Sequence, residues 1–147
     1  MKKLLIISGP NLNLLGVREP GIYGNESYQG LIEYISGICR EEGLEAEFFQ
    51  SNHEGALVDA IQGALGRVDG IVINPAAYTH TSIAILDAVK AVSIPTVEVH
   101  LSDIYQREEF RHVSYVSAAC VKSIYGLGFE GYRQAVLFLK KLLEEGK

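Results

Sequence analysis

Three polar clusters hold the side chains of this sequence whose types and spacing could do chemistry. The first is SGPNLNLLGVREPGIYG over residues 8–24, the second is NPAAYTHTS over residues 74–82, and the third is EVHLS over residues 98–102, continuing to Arg107 and Arg111. Each cluster falls at the carboxyl end of a segment with the character of a β-strand. Because open α/β sheets bind ligands at the carboxyl ends of their strands, we expect the three clusters to converge on one site.

The chemistry that these clusters favour is acid–base catalysis on a small polar ligand. The loop over residues 9–16 lacks the GxxxxGK[ST] and GxGxxG patterns of nucleotide sites, and the chain has no GxSxG elbow. Its four histidines show no metal-type spacing such as HExxH. No lysine falls within the clusters to form an imine with a substrate. What remains is a set of proton donors, proton acceptors and anion-binding groups.

Each of these residues also has an ordinary structural interpretation. Asn11 and Asn13 could stabilise turns, Arg18 could form a surface ion pair with Glu19, and His100 could be a structural residue at a strand end. Those interpretations do not explain why so many polar residues follow predicted strands. Their joint occurrence therefore favours a functional site.

Length and composition predict a single globular domain over residues 1–147. The 147 residues are 48% hydrophobic and 21% charged, with a formal net charge of −5. The acidic balance disfavours nucleic-acid and anionic-membrane partners, and no apolar run approaches the ~18 residues of a membrane span. Cys39 and Cys120 share no metal-type spacing, and the sequence shows no secretory signal pattern. We therefore expect reduced, buried thiols and a cytoplasmic protein.

Hydrophobic periodicity predicts five strands that alternate with helices. The predicted strands are residues 3–7, 44–50, 70–74, 96–100 and 113–118, and the predicted helices are residues 27–42, 54–66, 81–92 and 128–145. Ser27 is expected to cap the first helix and Gly43 to close it, while Leu57, Ile61 and Leu65 form the buried face of the second. Right-handed crossovers then give an α/β, flavodoxin-like doubly wound sandwich with a five-stranded parallel sheet of order 2-1-3-4-5.

The motifs closely resemble those of the type II dehydroquinases (3-dehydroquinate dehydratases). The opening loop follows the family pattern GPNLNxLGxREPxxYG, and NPAAYTHTS, VHLSDIYQREEFRHVS and IYGLGFEGYRQAV resemble its later motifs in the same order. The likeness spans essentially the whole chain. One departure is Asp103, where the family commonly has Asn, and we expect it to affect lid contacts or substrate affinity without touching the catalytic pair.

The resemblance implies catalytic roles for five residues. Tyr23 would be the general base that removes a proton from the carbon beside the substrate ketone, and Arg18 would stabilise the tyrosinate. His100 would be the general acid that protonates the departing hydroxyl, with Glu98 orienting it. Asn11 would position a water that stabilises the enolate. The product of this reaction is 3-dehydroshikimate, in the third step of the shikimate pathway.

Substrate binding is implied for a second set of residues. Asn74, His80 and Arg111 would bind the hydroxyls and the carboxylate, and the backbone of Leu101 and Ser102 would also hold the carboxylate. An acidic protein needs such local donors for an anionic substrate. No metal and no cofactor are implied.

The resemblance also implies an assembly and a moving loop. The family builds a dodecamer from trimers, in which Asp87 would reach the neighbouring subunit's site or lie near it. Residues 16–24 carry Arg18 and Tyr23 among glycines and proline, so we expect a lid that orders over the substrate.

A non-enzymatic flavodoxin-like binding module is the alternative, since fold alone does not determine function. A phosphoacceptor version is disfavoured, because Ser8, Gly9 and Asn74 stand where that module would need acidic residues. A flavin-binding version would give a yellow protein on purification.

Overall fold

A computed structural model of the protein describes residues 1–17 and 27–146. Five parallel strands form one sheet of order β2-β1-β3-β4-β5, which confirms the predicted fold class. The strands are β1 (Lys3–Ser8), β2 (Glu45–Gln50), β3 (Gly70–Asn74), β4 (Thr96–His100) and β5 (Lys122–Tyr125). The helices are α1 (Tyr28–Glu41), α2 (Glu54–Gly63), α3 (Ile83–Val92) and α4 (Glu130–Glu145).

The central strands are buried on both faces, so the core has two layers. Successive side chains of a strand point to opposite faces. Leu4 and Ile6 of β1 therefore join the cluster that packs against α1 and α4. Leu5 and Ile7 join the cluster that packs against α2 and α3. Continuous apolar runs of this kind are typical of parallel strands covered by helices on both sides.

Local signals in the sequence explain where the first helices begin and end. The Ser27 hydroxyl accepts a hydrogen bond from the Gly30 N–H at 3.0 Å and caps α1, as predicted. Gly43 has a φ of +71°, a left-handed conformation that suits glycine after a helix. Helix α2 is shorter than predicted, since it ends at Gly63. Leu65 consequently lies beyond it and is 64% exposed, so its predicted burial is wrong.

The predicted fifth strand over residues 113–118 is wrong. That segment contains a loop and a 3₁₀ turn over Val116–Ala119, while the strand that pairs with β4 is Lys122–Tyr125. The segment resembles a strand because Val113, Tyr115 and Val116, residue types that favour strands, are interspersed with serine. Its backbone is instead satisfied by local turns, with the Ser117 N–H donating to the Ser114 hydroxyl at 3.2 Å. Within the described residues, five 3₁₀ turns were not predicted, among them Val116–Ala119 and Ala76–His80 after β3.

The two cysteines lie at different depths in the fold. Cys39 is buried and Cys120 is half-buried, and both are free thiols. Burial raises the pKa of Cys39 to about 11 and that of Cys120 to about 12, so both stay protonated at neutral pH.

Within residues 1–17 and 27–146, no helix has the length and apolar character to cross a bilayer. The predicted lid over residues 16–24 lies outside the described residues from Arg18 onward, so Arg18 and Tyr23 are not described.

Gly9 lies where the loop after β1 touches the loop after β3. Its N–H donates to the Asn74 carbonyl oxygen at 2.8 Å, and an added Cβ would lie 2.4 Å from the Pro75 carbonyl oxygen. Because backbone atoms must then move, we expect Gly9→Ala to lower the free energy of unfolding by about 1–3 kcal/mol. Denaturant titration measures this. Gly37→Ala in α1 is the control, since its Cβ meets open space; equal stability of the two variants would contradict the close contact.

Candidate active site

A cleft of about 180 Å³ opens at the carboxyl edge of the sheet, where the ends of β1, β3 and β4 meet. It brings together seven of the side chains singled out from the sequence, namely Asn11, Asn74, His80, His100, Leu101, Ser102 and Arg111. The expected convergence of the three clusters is therefore confirmed for the described residues. Neighbouring parallel strands end at one edge, which is why residues so far apart in sequence meet here.

The loop after β1 separates the two asparagines that the sequence could not distinguish. Asn11 has a φ of +71° and lines the cleft, and its N–H donates to the Asn52 side chain at 2.9 Å. Asn13 accepts a hydrogen bond from the Gln50 amide at 3.4 Å, as part of the support for the loop. The turn-stabilising interpretation thus suits Asn13, while Asn11 faces the site.

His100 and Glu98 form a buried pair at the end of β4. Both side chains point to the same face of the sheet because they are two residues apart. His100 Nε2 lies 2.6 Å from Glu98 Oε2, and Glu98 is fully buried. Glu98 does not line the cleft; it lies behind His100, which does.

Four hydroxyl groups complete the surroundings of the Glu98 carboxylate. Oε2 also contacts the hydroxyls of Thr79 at 2.5 Å and Ser114 at 2.8 Å. Oε1 accepts from Ser123 at 3.0 Å and from Ser117 through a short contact. Five donors therefore surround a carboxylate that is removed from water. A buried carboxylate satisfied in this way stays charged.

Electrostatics fix the ionisation of Glu98 and the orientation of His100. Burial alone would raise the pKa of Glu98, but the hydrogen bond and charge of His100, with the Ser117 and Thr79 hydroxyls, lower it to about 2. Since an ionised carboxylate only accepts hydrogen bonds, His100 Nε2 must carry the proton. The other ring nitrogen, Nδ1, is then the one available to a ligand in the cleft.

His80 presents the opposite arrangement. Its Nδ1 lies 2.7 Å from the Val113 carbonyl oxygen, so Nδ1 carries the proton and donates. Burial lowers the pKa of His80 more than this hydrogen bond raises it, and the charges of His100 and Arg111 lower it further. His80 is therefore neutral at pH 7, and Nε2 is a hydrogen-bond acceptor, suited to a ligand hydroxyl.

Asn74 is held by its neighbours at the end of β3. Its Oδ1 accepts from the Ala76 N–H at 3.0 Å, and its amide nitrogen lies 3.3 Å from the Tyr132 hydroxyl of α4. Both groups are part of a buried network, since Asn74 and Tyr132 are themselves buried. The Asn74 side chain thus reaches the cleft in a fixed orientation.

Two arginines supply positive charge to the cleft. Arg111 Nε donates to Glu108 Oε2 at 2.6 Å, and this ion pair holds the guanidinium in place. The pair uses only Nε, so the other N–H groups of Arg111 are not part of it. Arg107 also lines the cleft. It was placed in the third cluster but not among the candidate site residues. Its place four residues before Arg111 in the third cluster was the available signal.

Two residues lie apart from this cleft. Asp87 is exposed on α3 and does not line it, so its expected role at a neighbouring subunit stays a prediction. The Asp103 carboxylate accepts from the Tyr105 N–H at 2.9 Å and caps a 3₁₀ turn. Asparagine makes the same cap, and the expected effect of Asp103 on lid contacts or substrate affinity stays a prediction. Within the described ranges, no three His, Cys, Asp or Glu side chains cluster as metal ligands.

Comparison with known proteins agrees with this geometry. The family described as dehydroquinase class II matches residues 2–140. The 3-dehydroquinate dehydratase of Caldicellulosiruptor bescii is 55% identical over 98% of this chain and 100% of the relative, and that of Endomicrobium trichonymphae is 51% identical over 97% and 100%. The type II dehydroquinase structure from Butyrivibrio crossotus has a TM-score of 0.91 at 51% identity, covering 94% of this chain and 97% of that one. The chain therefore belongs to the class II dehydroquinase family and is a dehydratase of that family.

Proposed function

We propose that this protein converts 3-dehydroquinate to 3-dehydroshikimate by an acid–base elimination through an enolate, without a metal, cofactor or imine. The single observation that carries the proposal is the buried pair of ionised Glu98 and His100, opening on a cleft that also holds Arg107 and Arg111. Such a cleft suits an anionic substrate that loses hydroxide. The names of the relatives support the choice of substrate.

His100 is the general acid of this proposal. Hydroxide is a poor leaving group, so elimination is fast only when a proton reaches the oxygen as it departs. The ionised Glu98 stabilises the imidazolium form, and Nδ1–H faces the substrate because Nε2–H is held by Glu98. The proton thus passes from Nδ1 to the leaving oxygen, which departs as water.

Tyr23 is the general base and Arg18 its activator, on the strength of the resemblance alone. A free tyrosine has a pKa of about 10, so only about one molecule in a thousand is ionised at pH 7. That ionisation costs about 4 kcal/mol unless a cation offsets it. Arg18 is a permanent cation five residues away in the sequence.

The cleft residues bind the substrate and the developing oxyanion. Asn11 positions a water against the enolate oxygen, while Asn74 and neutral His80 bind hydroxyls. Arg111 and the backbone of Leu101 and Ser102 bind the carboxylate. The residues proposed for these contacts all line the cleft. The contact from Asn11 also needs a water molecule.

The wider context follows the family resemblance. In this proposal residues 1–147 act as one domain in the third step of the shikimate pathway, in the cytoplasm. Trimers assemble into a dodecamer, and Asp87 reaches toward the neighbouring subunit's site.

The test is an absorbance assay with 3-dehydroquinate on protein treated with chelator, with and without prior exposure to borohydride in the presence of substrate, the excess borohydride being removed before the assay. Rapid growth of the ultraviolet absorbance of a conjugated enone carboxylate under both treatments is the expected result. Loss of activity after borohydride would show an imine and overturn the proposed chemistry. A folded protein that binds the substrate without turnover would support the non-enzymatic binding module instead.

Replacing Arg111 by alanine tests the carboxylate contact. We expect the KM for 3-dehydroquinate to rise about 10- to 100-fold, the effect of losing a charged hydrogen bond, with kcat changed much less. Steady-state kinetics measure both constants. Arg67→Ala is the matched control, since Arg67 pairs with Glu47 far from the cleft. An unchanged KM in the Arg111 variant would remove this residue from the binding set.

A further inference from the structure

Strand β5 places two polar side chains beside the acid pair. In the parallel register Ser123 lies opposite Glu98, and Tyr125 lies opposite His100. Side chains at paired positions of neighbouring strands share one face of the sheet. Ser123 and Tyr125 therefore lie beside Glu98 and His100 on the same face of the sheet.

Tyr125 and Ser123 both contact the acid pair or its hydroxyl shell. The Tyr125 ring stacks on the His100 ring with centroids 5.6 Å apart and planes inclined by 14°. Its hydroxyl lies 3.1 Å from Ser117 Oγ. Because the Ser117 proton goes to Glu98, the Tyr125 hydroxyl is the donor in that contact. Ser123 reaches Glu98 directly at 3.0 Å.

We propose that Ser123 and Tyr125 are positioning residues that hold the Glu98–His100 pair in its working orientation, a role that rests on the proposed function of His100 as general acid. The Tyr125 ring restricts rotation of the imidazole, and a ring face stabilises a cation stacked on it. Its hydroxyl, through Ser117, keeps Glu98 turned toward His100. Ser123 fills the remaining acceptor position on Oε1.

The position of these residues argues against a purely packing role. β5 is an edge strand of the sheet. Ile124, which lies between Ser123 and Tyr125 and points to the opposite face, is buried in the apolar cluster that packs against α4. Ser123 and Tyr125 are only half-buried, and each places its polar atom on the Glu98 network. Apolar residues would cover that face of the sheet without making these contacts.

Other groups near His100 are unchanged by substitutions on β5. They are Glu98 on the same strand, His80 after β3, and Arg107 and Arg111 in the connection between β4 and β5. Tyr105 packs edge-on against Tyr125, with ring centroids 5.5 Å apart. A change in His100 orientation on losing the Tyr125 ring is therefore traceable to that ring.

The experiment compares Tyr125→Leu, Tyr125→Phe and Ser123→Ala by steady-state kinetics and by crystal structures of the substrate-free proteins. Tyr125→Leu is expected to lower kcat about tenfold with KM nearly unchanged, as for loss of a stacked cation contact. Tyr125→Phe retains the ring and is expected to recover most of that loss. In the Leu variant we expect His100 Nε2 to leave Glu98 Oε2.

Matched controls separate positioning from folding and from the proposed reaction. Tyr34→Leu and Ser36→Ala change the same residue types on α1, remote from the cleft, and their kcat is expected to be unchanged. A Tyr125→Leu protein with normal kcat and an unmoved His100 ring would overturn the proposal. If Tyr125→Leu does not fold, Ser123→Ala decides it: we expect kcat to fall about fivefold, as for loss of one hydrogen bond, and wild-type kcat with an unchanged His100–Glu98 geometry would overturn the proposal. The His100 orientation is measured without substrate, so it tests positioning even if the dehydratase activity is absent.

Discussion

Replacement of His100 by alanine is expected to lower kcat by at least about a hundredfold, the usual contribution of a positioned general acid. The proton that His100 supplies is needed only as the carbon–oxygen bond breaks, so KM should change much less than kcat. His100 is buried at the end of β4, and no hydroxyl of the Glu98 shell can replace its Nδ1 proton in the cleft. Steady-state kinetics with 3-dehydroquinate measure the effect.

Two comparisons make this result specific. Added imidazole should restore part of kcat in the alanine variant, because the space left at the end of β4 opens onto the cleft. His53→Ala is the control, since His53 is exposed and its side chain makes no cap to α2. If the His100 variant kept near-normal kcat, the general acid would have to be another residue.

Replacement of Glu98 by glutamine is expected to lower kcat by about a hundredfold as well, without changing the shape of the side chain. Glutamine must turn its NH₂ group toward one of the two sets of donors now held by Oε1 and Oε2. It also removes the negative charge that stabilises the His100 imidazolium. Kinetics give the loss of kcat, and Glu33→Gln on the exposed face of α1 is the control. Normal kcat in Glu98→Gln would show that the charge is not needed.

The same substitution should alter the pH dependence of stability. The pKa of Glu98 is about 2 in the folded protein against an ordinary value of 4.5, so the unfolded chain binds the proton first as the pH falls. The ionised carboxylate thus contributes stability that is present above about pH 4.5 and is lost toward pH 2, on the order of 3 kcal/mol. Unfolding free energies of Glu98→Gln should fall less steeply over that interval. Parallel curves for the two proteins would contradict the lowered pKa.

The sequence was sufficient to predict the sheet and the place of the site. β3 and β4 were predicted with the correct ends because β3 is an apolar, β-branched run between turn residues and β4 begins directly after Pro95. The convergence of Asn11, Asn74 and His100 followed from one rule, that neighbouring parallel strands end at one edge. This prediction needed no side-chain detail.

The fifth strand and the shell of Glu98 could not be predicted in the same way. Lys122–Tyr125 is short and half polar. The β-branched and aromatic residues over residues 113–118 therefore gave the stronger strand pattern. Thr79, Ser114 and Ser123 come from three segments of the chain, and nothing in their spacing marks them as donors to one carboxylate. Only the fold brings them together: the turn after β3 and the connection after β4 lie beside Glu98, and the register of β4 and β5 brings Ser123 to it. The same register placed Tyr125 on His100.

The origin of the Glu98 donors has a consequence for how activity depends on folding. Thr79 comes from the turn after β3, Ser114 and Ser117 from the long connection, and Ser123 from the edge strand. A carboxylate that lost this shell while still covered by the core would take up a proton, and His100 would lose its counter-ion. Local opening of the connection between β4 and β5 would therefore switch off proton delivery while the central strands remain intact. Turnover would then report on the intactness of this connection and of the edge strand β5.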